Sequence, residues 1–500
     1  MHAFRPLRAT PLRPGGGALW TTRLDRSLPV TVSRQLAIAL RRAIADGDLG
    51  AGVRLPSTRA LASELGIARS TVVAVFDQLA AEGYIAAAPG SGHYVPLRQS
   101  DGYTPALVEV AAMAPRRLSR QAVLLRGADP PRRGPPQPFD LGHAEIDGRL
   151  VTTWKRLTSR VLTRRSRLEW GYGDPRGEEA LRLAIAEYLA AARGVRCRPE
   201  QVVLTAGTQQ GLSLMAQILL DPNDTAWVED PCYRAAVDIL QAAEARIVPI
   251  AVDANGLDIT AAPAGRDPPR LLYATPSRQY PLGMAMPLPR RLALLEWAAR
   301  EGVWIIEDDY ESEFQQPGQA LPALQGLDRA GRVIYLGTFS KLLFPSLRLG
   351  YAVLPEDLVG PFAAARHLAD RQSSGLVQAI VTEFILDGHF ARHLKRMRAH
   401  YGERQAFLLR LIEQHLAGLI DVRPVASGMY LTAWLPADRD DRDVAAALGA
   451  VGVTVMPLST FVLTAPRPPG LVLGYAGHSE AAMTRAVERM ARVMESSQLV

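Results

Sequence analysis

The stretch Val333-Ile-Tyr-Leu-Gly-Thr-Phe-Ser-Lys-Leu-Leu-Phe-Pro-Ser-Leu-Arg-Leu-Gly-Tyr-Ala-Val-Leu354 decides how this chain is read. Two apolar, strand-like runs, Val333 to Leu336 and Leu349 to Leu354, are joined by a loop, Gly337 to Gly350, that carries Lys341. Small hydroxyl residues precede the lysine and an apolar turn follows it. The chain has only three lysines, Lys155, Lys341 and Lys395, because nearly all its positive charge is arginine. Lys155 and Lys395 lie in arginine-rich amphipathic stretches, where a solvated surface is the expected setting. Lys341 alone has the surroundings of an imine-forming amine. An apolar, partly dehydrated pocket lowers lysine's pKa and frees its lone pair, which arginine cannot match. A loop lysine without a chemical role fits this stretch equally well when the stretch is taken by itself.

Five hundred residues suit two or more domains, and a hydrophobic content of 48% is ample for a large core. No apolar run reaches the roughly 18 residues of a membrane span. Met1 to Trp20 lacks the apolar centre of a secretion signal, so residues 1–23 are expected to be a disordered lead-in. Two cysteines, Cys197 and Cys232, make no disulfide framework, which points to a reducing cytoplasm. Cys232 has no evident histidine partner, and packing explains it better than nucleophilic chemistry. Net charge is +7, and residues 1–98 hold 12 arginines against 6 acids, so almost all the excess is N-terminal. A basic module on a near-neutral body suggests a polyanionic partner for that module, although a solubilising surface explains the charge as well.

Val32 to Ile44 carries apolar residues at Leu36, Leu40 and Ile44, which predicts an amphipathic helix. In Arg54-Leu-Pro-Ser-Thr-Arg59, Pro56 fixes the entry and Ser57 or Thr58 caps a second helix bearing Leu61 and Leu65. Gly66 supplies a tight turn, and a third helix runs from about Arg69 to Glu82, burying Val72, Val75 or Phe76, and Leu79. Two short helices about a glycine turn make a helix-turn-helix, leaving Arg69, Ser70 and Thr71 free to enter a major groove. Tyr84-Ile85 and Pro89 to Val95 read as a hairpin, or wing, whose Gly-rich tip suits a phosphate backbone. A plain three-helix bundle is the bland alternative. Residues 24–98 therefore read as a module for double-stranded DNA. Residues 99–138, rich in Pro, Arg and Gly, read as an extended linker in which only Val108 to Met113 offers a docking segment.

From residue 139 to 500 apolar runs alternate with helical patterns. The strand candidates are Val202–Leu204, Ala226–Glu229, Ile247–Ile250, Leu271–Ala274, Val303–Glu307, Val333–Leu336 and Tyr351–Leu354. This is the pattern of an α/β domain with a mostly parallel sheet covered on both faces, and ligands of such sheets sit at the carboxyl ends of the strands. After the first strand, Thr205-Ala-Gly-Thr-Gln-Gln-Gly211 opens a helix; Gly207 and Thr208 there would offer N–H groups and a hydroxyl to a phosphate, or simply cap the helix. After another strand comes Glu307-Asp-Asp-Tyr-Glu311. These acids could bind magnesium, or one could hold the cationic ring nitrogen of pyridoxal 5'-phosphate (PLP).

The lysine loop resembles the cofactor-lysine segment of fold-type-I PLP enzymes. Together with Arg54 to Arg59, Leu65-Gly66 and the order of the later motifs, it resembles the MocR/GabR branch of the GntR regulators over nearly the whole chain. In that branch a winged helix-turn-helix is fused to an aminotransferase-like domain with a smaller C-terminal α+β lobe, here about residues 360–500. The resemblance implies that Arg54, Ser57 and Arg59 contact phosphates, that Arg69, Ser70 and Thr71 read bases, and that Gly92 marks the wing. It implies a PLP Schiff base at Lys341, with Asp308 on the ring nitrogen, Tyr310 on the ring oxygen and Tyr233 stacked on the ring. Thr208, Thr338, Ser340 and Arg348 would bind the phosphate, and Tyr172 would reach in from a second subunit of a head-to-tail homodimer. Where an aminotransferase is expected to hold an arginine for the substrate carboxylate, Val472 stands; Arg278 and Tyr430 are then the candidates for effector contact. The implied function is a cytoplasmic, PLP-dependent transcriptional regulator that senses a small amine or amino acid, or PLP itself. A working aminotransferase carrying a DNA-binding module, or a cofactor-free dimerisation scaffold, are the alternatives.

Overall fold

The computed structural model describes residues 24–88, 92–96, 117–124, 137–164, 166, 170–262, 267–315, 321–426, 428–464 and 467–496. The expected lead-in, the wing tip at 89–91 and the segment Val108 to Met113 lie outside the described residues. The chain divides into two compact units, Met1–Arg117 and Leu118–Val500.

In the first unit, α1 (Val32–Ala45), α2 (Thr58–Leu65) and α3 (Arg69–Ala81) are followed by an antiparallel pair, β1 (Ala86–Ala88) and β2 (Gly92–Tyr94). The Ser57 hydroxyl caps α2 by accepting from the Ala60 N–H at 3.1 Å. Gly66 ends it in the left-handed conformation, φ +62°, which a side chain would resist. Leu36, Leu40, Leu61, Val72, Val75, Phe76 and Leu79 meet in one core, as their spacing predicts. Val75 and Phe76 are both buried; Ile44 and Leu65 pack only at the core's margin.

In the second unit, α4 (Arg120–Leu124) is a short helix within the stretch expected to be linker, and Arg120 pairs with Glu244 at 2.9 Å. The next helices are α5 (Gly148–Arg164), α6 (Glu179–Arg193), α7 (Thr208–Leu219) and α8 (Arg234–Ala242). The main sheet contains β3 (Val202–Thr205), β4 (Thr225–Asp230), β5 (Arg246–Asp253), β6 (Gly256–Leu257), β7 (Leu271–Ala274), β8 (Trp304–Asp309), β9 (Val333–Thr338) and β10 (Gly350–Val353). Their order is β3-β10-β9-β8-β7-β4-β5-β6. The pairs from β9 through β8, β7 and β4 to β5 are parallel, whereas β10 runs antiparallel to both β3 and β9. All seven predicted strands are present, within a residue or three of their expected ends. The reversal of β10 follows from the shortness of the lysine loop, which returns the chain without a crossover helix.

Neighbouring residues of β8 show why these strands are apolar throughout: Ile305 joins the core on one face and Ile306 the core on the other. The C-terminal lobe adds a second, antiparallel sheet of β11 (Asp421–Val422), β12 (Tyr430–Trp434), β13 (Met456–Pro457) and β14 (Gly470–Gly474), ordered β11-β12-β14-β13. No described helix is long and apolar enough to cross a membrane.

The functional edge depends on backbone crowding. A Cβ on Gly350 would stand 2.8 Å from both the Gly207 Cα and the Gly337 carbonyl oxygen, neither of which can swing aside. Gly350→Ala is expected to destabilise this unit by about 1–3 kcal/mol or more through overpacking. Denaturant unfolding checks it, with Gly402→Ala, at an open helical position, as the harmless control.

Candidate functional site

The parallel strands deliver Thr205, Asp230, Ala274, Asp309 and Thr338 to one sheet edge, where β10 begins at Gly350. Above that edge lies a cavity of about 310 Å³. Its lining includes Gly207, Thr208, Tyr233, Asp308, Tyr310, Thr338, Ser340, Lys341, Arg348 and Tyr430, so residues from five strand ends and the second sheet converge. Every sequence-predicted cofactor residue except Tyr172 is in this lining.

At one end, α7 starts beside the turn carrying Arg348. The Arg348 backbone is left-handed, φ +49°, and its guanidinium lies next to Gly207. The Ser340 N–H donates to the Thr338 hydroxyl at 3.1 Å, and the buried Ser340 hydroxyl has no hydrogen-bond partner among the described residues. A helix N-terminus, two hydroxyls and a guanidinium in one corner suit an anion such as a phosphate.

In the middle, Tyr273 donates to Asp308 Oδ2 at 2.7 Å, while the other oxygen, Oδ1, is buried with no hydrogen-bond partner among the described residues. Burial pushes the Asp308 carboxyl up to about 7; the Tyr273 hydrogen bond opposes this, the Asp309 charge adds to it and Lys341 opposes it. Burial likewise lowers the Lys341 pKa, against the pull of Glu311 and Asp308. The amine stands so close to the chain at Gly142 that a Cβ there would come within 2.9 Å of Nζ.

The acids after β8 do not gather for a metal. Glu307 accepts from the N–H groups of Leu324 and Gln325 at 2.8 and 2.9 Å, and Asp309 pairs with Arg193 at 3.0 Å and accepts from Tyr335 at 2.8 Å. Glu311 pairs with Arg278. Among the described residues no three His, Cys, Asp or Glu side chains form a metal-binding group.

Two candidates sit elsewhere. Tyr172 is 81% exposed, with the Arg371 guanidinium 4.5 Å over its ring, and does not line this chain's cavity. Arg278 was a candidate for effector contact, but it is buried behind the wall. It pairs with Glu311, donates to the Tyr430 carbonyl at 3.1 Å and stacks on the Tyr430 ring at 4.5 Å. Burial drives it to that carboxylate instead of into the open cavity. Cys232 is buried, and burial pushes its thiol far up, as suits a packing residue. Sequence reasoning missed Tyr273, which sits in an apolar strand, and the wall residues Leu141, Gly142, Tyr280 and Met429. The alternation of β7 could have flagged Tyr273; nothing in the sequence marks the others.

On the first unit, Arg54, Ser57, Arg59, Arg69, Ser70 and Gly92 are exposed and Thr71 is half-buried. They form a polar surface across the start of α2, the start of α3 and the wing, with Arg69 Nε donating to the Thr58 hydroxyl at 3.4 Å and the Arg54 guanidinium beside Gly92.

A winged helix-turn-helix followed by an aminotransferase fold with a cavity-lining lysine at the sheet edge defines a regulator built on an enzyme scaffold. Residues 32–95 match the model for bacterial regulatory proteins of the gntR family, and residues 136–490 match the model for aminotransferase class I and II. The chain belongs to the MocR-type branch of the GntR regulators, transcriptional regulators with an aminotransferase-like domain. It is 40% identical to the probable rhizopine catabolism regulatory protein MocR of Rhizobium meliloti over 93% of this chain and 94% of that one. With the pyridoxine biosynthesis regulator PdxR of Corynebacterium glutamicum it shares 30% identity over 90% and 93% of the two chains. The structure of LysN, an α-aminoadipate aminotransferase of Thermus thermophilus complexed with N-(5'-phosphopyridoxyl)-L-leucine, matches with a TM-score of 0.66 at 27% identity, covering 76% of this chain and 95% of that one.

The raised Asp308 pKa has a stability consequence. A carboxyl held above its ordinary value contributes stability that is present at low pH and lost as pH rises through about 7. Asp308→Asn removes that buried charge. It is expected to stabilise cofactor-free protein by up to about 4 kcal/mol in mildly alkaline buffer, the gain shrinking in mildly acidic buffer. Thermal unfolding at the two pH values checks the sign.

Proposed function

We propose that this regulator holds PLP covalently at Lys341 and uses it to read an amine-bearing effector, or PLP itself. The observation that carries the reading is the unpartnered, buried Asp308 Oδ1 in the same cavity as the desolvated Lys341 amine. A pyridinium N–H would satisfy that oxygen and keep Asp308 ionised. PLP supplies an aldehyde for an amine to condense with and a ring that draws electrons from it.

The remaining assignments follow from position in the cavity. Burial keeps Lys341 an uncharged nucleophile more readily than a solvated lysine. Gly207, Thr208, Thr338, Ser340 and Arg348 hold the phosphate, Tyr233 covers the ring and Tyr310 meets the ring oxygen. Tyr172 of the partner subunit completes the phosphate corner in a head-to-tail homodimer. On the first unit, Arg54, Ser57 and Arg59 grip DNA phosphates, Arg69, Ser70 and Thr71 face the bases, and Gly92 lets the wing approach the backbone.

Sensing requires that occupancy change something outside the cavity. Leu141 and Gly142 line it, and they lie a few residues after the expected linker. An occupant that prefers one arrangement of this segment biases the chain leading to the DNA-binding unit. Turnover as an aminotransferase is not part of this reading, because Val472 is wholly buried and offers no charge to a substrate carboxylate.

Purified protein mixed with PLP is expected to show a visible absorption band that Lys341→Ala lacks, and borohydride should leave the cofactor's mass on the peptide containing Lys341. A wild-type protein without the band sinks the cofactor reading. For the DNA contacts, Arg59→Ala should weaken binding to all sequences alike and lower the log–log salt slope by about 1. An unchanged slope removes Arg59 from the phosphate grip.

A further inference from the structure

We infer that the effector is a primary amine without a carboxylate: the far end of the cavity is built to exclude an acid. This inference rests on PLP occupying the Lys341 site and names the class of amine read there.

Among the described lining residues the only side-chain cations are Lys341 and Arg348. Arg348 lies in the phosphate corner beside Gly207, and Lys341 is the amine that would carry the cofactor. The opposite end is aromatic. Tyr280 packs edge-on against Tyr310, Tyr430 and Phe461, with ring centres 5.8, 5.4 and 5.3 Å away. Behind it Val472 lies wholly buried with Tyr430, Leu458 and Phe461. Arg278, which lies over the Tyr430 ring, pairs with Glu311, and Glu311 itself lines the cavity.

The hydroxyl protons of Tyr310, Tyr430 and Thr275 are spent as well, while the Tyr280 hydroxyl has no hydrogen-bond partner among the described residues. Tyr310 donates to the Arg278 carbonyl at 3.1 Å. In the 2.6 Å contact between the Tyr310 and Tyr430 hydroxyls, Tyr430 must then be the donor. Thr275 gives its proton to Glu229 at 2.6 Å. What these groups turn to a ligand is therefore acceptor oxygen. An entering carboxylate would lose its water and meet lone pairs and a second carboxylate. A neutral or cationic body carrying N–H or O–H groups meets acceptors that suit it.

The test uses PLP-loaded wild-type protein and three pairs of probes that differ only by the α-carboxylate: ethanolamine and serine, 2-phenylethylamine and phenylalanine, 1,4-diaminobutane and ornithine. Binding is read by calorimetry and by the shift in the unfolding midpoint. The expected result is that at least one amine binds, and that its carboxylated counterpart binds about tenfold more weakly or worse. Equal or tighter binding of the acid in every pair that binds overturns the inference. So does failure of all three amines while the visible PLP band is present, and the cofactor reading then still stands. Absence of the band is the separate failure of the cofactor reading itself. In Glu311→Gln the Arg278 charge loses its partner, so serine, phenylalanine or ornithine should gain affinity relative to its amine; no gain in a variant that retains the PLP band counts against the inference.

Discussion

The second unit is organised around the cost of holding charge without water. At the carboxyl edge of the main sheet, Glu229, Glu307, Asp308, Asp309, Glu311 and Glu313 are all buried. A buried carboxylate must be neutralised, hydrogen-bonded or paired. Most of these are served by the fold: Thr275 and Gln279 for Glu229, main-chain N–H groups for Glu307, Arg193 and Tyr335 for Asp309, Arg278 for Glu311. Asp308 is half served, by Tyr273 alone. Buried oxygens of Glu229 and Glu313 also lack a hydrogen-bond partner among the described residues, but of these three carboxylates Asp308 is the one that lines the cavity. The same burial that raises this carboxyl lowers the Lys341 amine, so one environment prepares both groups.

The path from DNA module to cavity follows from where the chain enters the second unit. The Phe139 carbonyl accepts from the Gly474 N–H at 2.9 Å, and the Pro138 carbonyl from the Thr454 N–H at 3.0 Å. These bonds tie the segment to the lobe that carries Tyr430 and Val472. The next residues, Leu141 and Gly142, form cavity wall against Lys341. The entering chain, the small lobe and the cavity wall are therefore joined through residues 138–142. An enzyme uses closure of a lobe to exclude water; a regulator needs only that closure favour one state.

Much of this was legible in the sequence because the signals were local. The strands of the main sheet are short apolar runs, and each is found where its run is. The helix-turn-helix follows from the spacing of Leu36, Leu40, Leu61, Val72 and Leu79 about Gly66. The residues that line the cavity lie at strand ends, which parallel topology brings together, so strand-end position along the chain was enough to place them near one another. What was not legible is pairing across long sequence separations. That Arg278 answers Glu311 depends on packing, and a sequence gives no way to tell an arginine aimed at a ligand from one aimed at a neighbour. The segment Phe139 to Gly142 carries no motif at all. The antiparallel β10 was hidden too, because an apolar run looks the same in either direction.

The choice of lysine at position 341 closes the argument about chemistry. Arginine fills nearly every other cationic position, including the buried ones at 193, 278 and 291. A guanidinium keeps its proton even when buried, so those residues serve as fixed positive charges for carbonyls and carboxylates. Lysine gives up its proton when it is desolvated, and at 341 it is half-buried in the cavity wall with two acids pulling the other way. A residue needed only for positive charge could be arginine there, as it is elsewhere. A residue that must become a neutral nucleophile could not. The buried site thus contains the one type of cation whose charge its environment can remove.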